Sequence, residues 1–287
     1  MEINIDTKFI TLIGTPLRQS FAARMQNAGY EAAGMNMRYF YCETDDSHLG
    51  QIIDGIRYMP SFAGCAVTKP NKVKVLQYLD ELDPLCQKMG ACNTVVKTPN
   101  GKLRGYNTDG SGFYISITQE AGFDIQGKTF FCFGAGGAGR AICSVLAYYG
   151  AGKIYVTDIF ENSSKALVDD INENFAPVAQ LVAHQDYSKI AQCDMVINAS
   201  GIGFGKTIGQ TPMPVEYIQP NQFYFDAAYN PEKTQFLMNA EEKGCRILNG
   251  LGMSLYQGVA QIELWTGKQA PVDAMRQELM NILAENP

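Results

Sequence analysis

Phe133-Gly134-Ala135-Gly136-Gly137-Ala138-Gly139-Arg140 is the stretch that decides the fold. It carries Gly-x-Gly-x-x-Gly at 134, 136 and 139, a spacing that says little alone because glycine-rich turns are common. Its flanks give it meaning. Lys128 to Phe133 is apolar and aromatic, as a buried strand is. Gly139 to Tyr149 repeats apolar residues at Ala141, Ile142, Val145, Leu146 and Tyr149, one helix face at 3.6-residue spacing, and Gly150 closes it. Strand, glycine turn and helix in this order form a dinucleotide cradle. Gly134 permits the tight turn, Gly136 lets backbone approach a pyrophosphate, and Gly139 lets helix pack closely on strand. The helix start then offers unpaired N–H groups and a positive dipole end to the phosphates. The next strand, Lys153 to Thr157, leads into Asp158, about 20 residues beyond Gly139, where an acidic side chain accepts from the adenosine ribose hydroxyls. A carboxylate there repels a 2′-phosphate, and no arginine lies between Asp158 and Lys165 to attract one. NAD is therefore expected in preference to NADP, which the cradle also admits. The cofactor-binding residues read from this segment are Gly134, Ala135, Gly136, Gly137, Ala138, Gly139 and Asp158.

Strands and helices alternate on both sides of the cradle. Before it come strands at Phe9–Gly14, Met37–Cys42 and Gly64–Thr68, with helices at Phe21–Gly34, His48–Tyr58 and from Pro70 to about Leu79. Thr94–Lys97 and Leu103–Tyr106 flank Thr98-Pro99-Asn100-Gly101, a hairpin signal. After a helical stretch at Gly112–Ala121 and the cradle come helices at Asn162–Asn174 and Thr234–Glu242. Strands follow at Asp194–Ala199, Gln222–Phe225 and Arg246–Leu248. The tail from Gly252 reads as two amphipathic helices broken near Gly267 and Pro271. This is an α/β protein of two lobes. Residues 1–110 with 250–287 are expected to form a substrate-binding and catalytic domain around a mostly parallel sheet, the C-terminal helices packing back on it. Residues 111–249 are expected to form a Rossmann-like dinucleotide-binding domain.

The 287 residues suit two domains of about 100–200 residues each. Twenty-three basic against 29 acidic residues leave a net charge of −6, and no basic block offsets it, so nucleic acid and anionic membrane are poor partners. No apolar run approaches the roughly 18 residues of a membrane span. Met1-Glu2-Ile3-Asn4-Ile5-Asp6 lacks the basic and apolar regions of a secretory signal. A cytoplasmic protein, monomeric or homodimeric, is the expectation. The eight cysteines include no Cys-x-x-Cys pair and sit mostly in apolar segments, so they read as buried hydrophobes, with neither disulfides nor a metal site. His48 and His184 are the only histidines and read as surface residues. Proton chemistry then rests on Lys, Asp, Glu, Tyr or Cys.

Three polar clusters end strands of the first lobe, where open α/β sheets bind ligands. They are Gly14-Thr15-Pro16-Leu17-Arg18-Gln19-Ser20, then Val67-Thr68-Lys69-Pro70-Asn71-Lys72, then Gly90-Ala91-Cys92-Asn93-Thr94 with Gly105-Tyr106-Asn107-Thr108-Asp109-Gly110. Their content suits a small polyhydroxylated acid. With Gly250-Leu251-Gly252-Met253 and Gln257 near the end, these motifs in this order resemble the shikimate dehydrogenase family, including its shikimate/quinate branch, over essentially the whole chain. The resemblance implies that Lys72 and Asp109 are the catalytic pair. It implies that Asn93, Thr68 and Gln257 hold substrate hydroxyls, that Ser20 lies in the carboxylate-binding loop, and that Tyr229 lines the cleft. It also adds Asn198 and Gly250 to the cofactor set. The reaction implied is reversible hydride transfer between 3-dehydroshikimate and shikimate, with quinate as an alternative acid, within aromatic amino-acid biosynthesis.

The match departs from the family in the acid-recognition segment. Ser-x-Ser is here Ser20-Phe21-Ala22, the usual preceding histidine is Gln19, and the usual Asn-Val-Thr is Ala66-Val67-Thr68. A lost charge-assisted hydrogen bond is worth about 1.5–3 kcal/mol. Tyr39, where the shikimate/quinate branch uses a tyrosine, and Arg18 are the residues expected to compensate. Three other readings stand beside this one: a paralogue acting on another cyclic hydroxy acid, a methylenetetrahydrofolate-type dehydrogenase, and a dinucleotide-binding sensor without turnover.

Overall fold

A computed structural model describes residues 2–18 and 20–285; Gln19 lies outside the described residues. The chain divides into two compact units, with breaks after Thr108 and after Ser254.

Unit 1 is built on a six-stranded sheet ordered β2-β1-β3-β5-β6-β4. Its strands are β1 (Lys8–Gly14), β2 (Met37–Glu43), β3 (Phe62–Val67), β4 (Glu81–Leu82), β5 (Thr94–Lys97) and β6 (Leu103–Tyr106). β1 pairs in parallel with β2 and β3, as strands joined by the helices α1 (Ala22–Ala32) and α2 (Leu49–Arg57) must. The hairpin β5–β6 is antiparallel, and β5 also joins β3 antiparallel. That pairing brings the start of β5 to the edge where β1 and β3 end. One face is sealed by Ile13, Leu49, Ile53, Phe62, Val67, Val75 and Val95. Over the other face lie α1 and two C-terminal helices, α9 (Leu251–Thr266) and α10 (Val272–Glu285). Gly29 of α1 lets these helices close in, since a Cβ there would come within 3.0 Å of both Ile262 and Met275. Arg24 adds ion pairs to Glu278 at 2.7 Å and Glu285 at 2.5 Å.

Within unit 1 three details depart from the sequence reading, and in unit 2 the strand Ala179–Leu181 was also not anticipated. The helix opened by Pro70 is only α3 (Asn71–Lys74) before it tightens into a 3₁₀ turn, Val75–Tyr78. The short α4 (Pro84–Met89) and β4 were not anticipated. Asp83 caps α4 by accepting from Leu85 N at 3.0 Å, with Pro84 in the first turn and Gly90 left-handed at its end, so the local signal was present.

Unit 2 carries α5 (Thr108–Ile115, its first residue in unit 1), continued as a π turn to Glu120, and a six-stranded sheet ordered β12-β11-β10-β7-β8-β9. Every neighbour is parallel. The strands are β7 (Thr129–Phe133), β8 (Lys153–Thr157), β9 (Ala179–Leu181), β10 (Met195–Asn198), β11 (Phe223–Asp226) and β12 (Arg246–Asn249). Read from β9 this is the doubly wound order 3-2-1-4-5-6, whose direction switches between β7 and β10. The helices α6 (Gly137–Tyr148), α7 (Glu161–Asn174) and α8 (Gln235–Glu242) cover it. All eight cysteines are free and all but Cys42 are buried. No helix among the described residues is long and apolar enough to cross a membrane.

Trp265 holds α9 to the unit 1 sheet, its Nε1 donating to Val95 O at 3.0 Å with the ring buried. Trp265→Phe removes that donor and part of the packing. The expected loss of stability is about 1–3 kcal/mol, read as a lower urea midpoint by circular dichroism.

Candidate active site

The polar loops of unit 1 are fastened to one another through backbone. Thr15 N donates to Lys69 O at 3.0 Å, Thr68 N to Ile13 O at 2.9 Å and Thr44 N to Gly14 O at 3.0 Å, tying together the turns after β1, β2 and β3. Val67 N donates to Asn93 O and Cys92 N to Lys72 O, both at 2.8 Å. Thr68, Lys72 and Asn93 therefore share one rim of the sheet, with Ser20 on the loop leaving β1.

Asn93 is buried, and its Oδ1 accepts from Thr108 N at 2.7 Å, Thr94 Oγ1 at 2.8 Å and Thr108 Oγ1 at 3.1 Å. A backbone N–H only donates, so the atom it meets is the amide oxygen. Any further partner of this amide is met by its N–H pair. Thr68 and Gln257 are half-buried, and Gln257 lies on α9 within the C-terminal part of unit 1.

In the loop expected to recognise the acid, Ser20 Oγ accepts from Ala22 N at 3.4 Å, and Arg18 is exposed. Tyr39 is not the hydroxyl that meets this loop. It lies mid-strand in β2, 3% exposed, its ring centroid 6.0 Å from that of Trp265, and its hydroxyl is enclosed without a partner among the described residues. Burial, helped by the neighbouring Tyr30, Tyr41 and Cys65, pushes its phenol well above the ordinary range. The residue that reaches the loop is Tyr41, which the sequence reading missed. Its hydroxyl donates to Ser20 O at 2.5 Å and accepts from Ala23 N at 3.3 Å, closing the turn into α1. Glu43 braces the same loop, accepting from Thr15 Oγ1 at 3.0 Å and Leu17 N at 3.4 Å. Residues 39, 41 and 43 share a strand face by period-two alternation, and only the last two stand at the rim.

In unit 2, Gly134 has φ +100 and donates to Thr157 O at 2.8 Å. A Cβ on Gly139 would lie 1.9 Å from Gly134 O, so no other residue fits there without moving the loop. Gly136 precedes α6 without any side-chain cap, and around Gly136 and Gly137 there is open space within 4 Å. An uncapped helix start beside open space fits a diphosphate. Ala138 follows in the first turn and Arg140 is bound to Asp170 at 2.6 Å. Asp158 Oδ2 accepts from Ala135 N at 2.7 Å and Oδ1 from Phe160 N at 2.9 Å. With about four lone-pair sites, that carboxylate keeps capacity for ribose hydroxyls. It faces a cavity of about 280 Å³ with Phe160, Ser163, His184 and Ser200, whose lining includes no lysine or arginine.

The Asn198 side chain, expected at the cofactor, is engaged within the protein. Its Nδ2 donates to Asp226 at 2.9 Å and Ile202 O at 2.8 Å, while its Oδ1 accepts from Ser200 N at 3.2 Å and Ser200 Oγ at 2.6 Å. Every hydrogen-bonding position is used, so it acts by shaping the Ala199–Ile202 loop. Its partner Asp226 is buried, which raises its carboxyl pKa, and bonds from Thr234, Ala228 and Asn198 partly offset that. Gly250 N donates to Ala228 O at 3.0 Å, tying the β12 turn to the loop that holds Tyr229. Burial pushes the Tyr229 phenol up to about 12, opposed by a hydrogen bond with Ser254, so it is neutral at working pH. Asp109 stands half-buried in the first turn of α5.

A doubly wound unit with a glycine-led helix and a ribose-side carboxylate, together with an α/β unit bearing a lysine on a polar strand-end rim, defines an NAD(P)-binding oxidoreductase. Residues 12–95 match the model of the shikimate dehydrogenase substrate binding domain, and residues 250–280 that of the shikimate 5′-dehydrogenase C-terminal domain. The chain is 38% identical over 287 residues to shikimate dehydrogenase (NADP(+)) of Desulforamulus reducens, covering 99% of this chain and 98% of that one. It resembles shikimate 5-dehydrogenase from Listeria monocytogenes, solved in complex with shikimate and NAD, with a TM-score of 0.92 and 37% identity over 97% and 98% of the two chains. It also resembles quinate dehydrogenase from Corynebacterium glutamicum in complex with NAD, with a TM-score of 0.89 and 30% identity over 96% and 99%. The chain belongs to the shikimate dehydrogenase family.

Gly139→Ala drives a methyl group into the Gly134 carbonyl. The expected result is a lower melting temperature and loss of saturable dinucleotide binding, checked by thermal shift with and without NAD.

Proposed function

We propose that this protein catalyses reversible hydride transfer between NAD and C3 of shikimate, giving 3-dehydroshikimate, in aromatic amino-acid biosynthesis in the cytoplasm. The relative solved with shikimate and NAD carries this reading, because the likeness runs through nearly the whole chain; the roles given to Lys72 and Asp109 rest on the sequence motifs that hold them. Residues 1–110 with 250–287 take the acid and residues 111–249 the dinucleotide. Shikimate oxidation releases one hydride and one proton. A dinucleotide held by the 134–139 loop and Asp158 would supply the hydride acceptor. Lys72 takes the hydroxyl proton in oxidation and returns it in reduction, where its ammonium form also stabilises the developing alkoxide. Asp109 is the second catalytic residue, Asn93, Thr68 and Gln257 bind hydroxyls, and Tyr229 lines the site as a neutral phenol. Ser20 lies against the carboxylate, in a loop braced by Tyr41 and Glu43.

NAD is the preferred cofactor of this proposal, although the curated relative named above is an NADP(+) enzyme. Support comes from Asp158, which would repel a 2′-phosphate, and from the adenosine-side cavity, whose lining holds no lysine or arginine. A second acid, quinate, has its own support in Ala22, which supplies no hydroxyl to the loop, and in the quinate dehydrogenase likeness. Near-ultraviolet absorbance of reduced nicotinamide, followed with shikimate, quinate and related acids, separates the two. NAD binding without turnover of any acid would favour a sensor.

Lys72→Ala is expected to lower kcat by about 10²–10⁴-fold while leaving the NAD dissociation constant nearly unchanged; an unaltered rate would remove lysine from the mechanism. Asp158→Ser is expected to narrow the ratio of kcat/KM for NAD over NADP. An unchanged ratio would discredit the ribose role.

A further inference from the structure

Beneath the rim, α1, α9 and β5 bury polar side chains in a line. Gln26 and Thr94 are 0% exposed and Gln261 is 3% exposed. Gln26 Nε2 donates to Gly258 O at 3.2 Å and to Gln261 Oε1 at 3.0 Å. Gln261 Nε2 donates to Thr94 Oγ1 at 3.0 Å, and the Thr94 hydroxyl donates to Asn93 Oδ1 at 2.8 Å. The line has a direction fixed at both ends. The Gly258 carbonyl only accepts, so the Gln26 atom facing it is nitrogen. The Thr108 N–H only donates, so the Asn93 atom facing it is oxygen. Between these ends Gln261 must accept from Gln26 and donate to Thr94, whose hydroxyl meets Asn93 Oδ1 at 2.8 Å and Thr108 Oγ1 at 3.0 Å, and Thr108 Oγ1 in turn reaches the same Asn93 oxygen at 3.1 Å. Gln26 leaves its own Oε1 buried without a partner among the described residues. A buried amide with an unsatisfied oxygen weakens a fold, so its value lies in what its N–H pair holds.

We propose that Gln26 and Gln261 are positioning residues for substrate binding. Acting through Thr94, they join the Thr108 N–H in holding the Asn93 amide with its oxygen inward, so that the group Asn93 turns to the acid is a donor and selects a hydrogen-bond acceptor, such as a hydroxyl oxygen. This rests on the reading of Asn93 as a substrate ligand. Gln26 is also one turn beyond Ala22 on α1, so the line ties the helix that follows the Ser20 loop to Asn93, just before β5.

The test uses Gln261→Met, Thr94→Val and Thr94→Ser in the full-length chain, with Asn93→Ala as control and near-ultraviolet circular dichroism to confirm folding. Expected are a KM for shikimate raised about three- to tenfold by Gln261→Met and Thr94→Val with little change in kcat, and wild-type KM in Thr94→Ser. The side-chain amide signals of Asn93 in nitrogen-15 NMR should shift in the Met and Val variants but not in the Ser variant. If Asn93→Ala raises KM while Gln261→Met and Thr94→Val leave it unchanged, the positioning role is overturned. It is equally overturned if the Asn93 signals do not move in those two variants. If Asn93→Ala itself leaves KM unaltered, the assignment of Asn93 to the acid has failed, and the amide signals alone decide the relay.

Discussion

Backbone serving backbone at the ends of β1, β2 and β3 is the constraint on which the rest of unit 1 depends. A turn at the rim of a covered sheet has N–H and C=O groups that must find partners, or each costs about 1–3 kcal/mol. Here the turns satisfy one another, Thr15 with Lys69, Thr68 with Ile13 and Cys92 with Lys72. Chemistry-bearing side chains can then be specified separately from the loops that carry them. The antiparallel return of β5 has the same effect from the other direction, because it delivers Asn93 to the rim where the parallel strands finish.

Unit 2 solves a related problem by proximity. Where β7 turns into α6, the chain passes so near itself that side chains are excluded at Gly139, and the Asp158 carboxylate bridges the glycine loop to the next turn. Asn198 and Asp226 form a buried brace behind that loop. Such braces set where a ligand group can lie without touching it.

What the sequence made legible follows from which signals are local. The glycine cradle, the strand at 153–157 and the two tail helices each announce themselves by spacing over a few residues. The doubly wound order follows from alternation and the handedness of βαβ crossovers. Roles that depend on depth were harder to read. Tyr39 and Tyr41 are two residues apart on one strand face, and only the position of the strand's end decides which of them meets the loop. Asn198 ends a strand, as ligand-binding residues do, yet its side chain is consumed by neighbours distant in sequence. Gln26 and Gln261 are separated by most of the chain, and neither sits in a motif, so nothing in the sequence links them.

Trp265 is the only tryptophan in the chain, and it is sealed under α9 against β5. The intrinsic indole emission of this protein is therefore a private signal of one half. It follows the environment of the sheet beneath α9, while the doubly wound half, lacking any indole, stays dark at the same wavelengths.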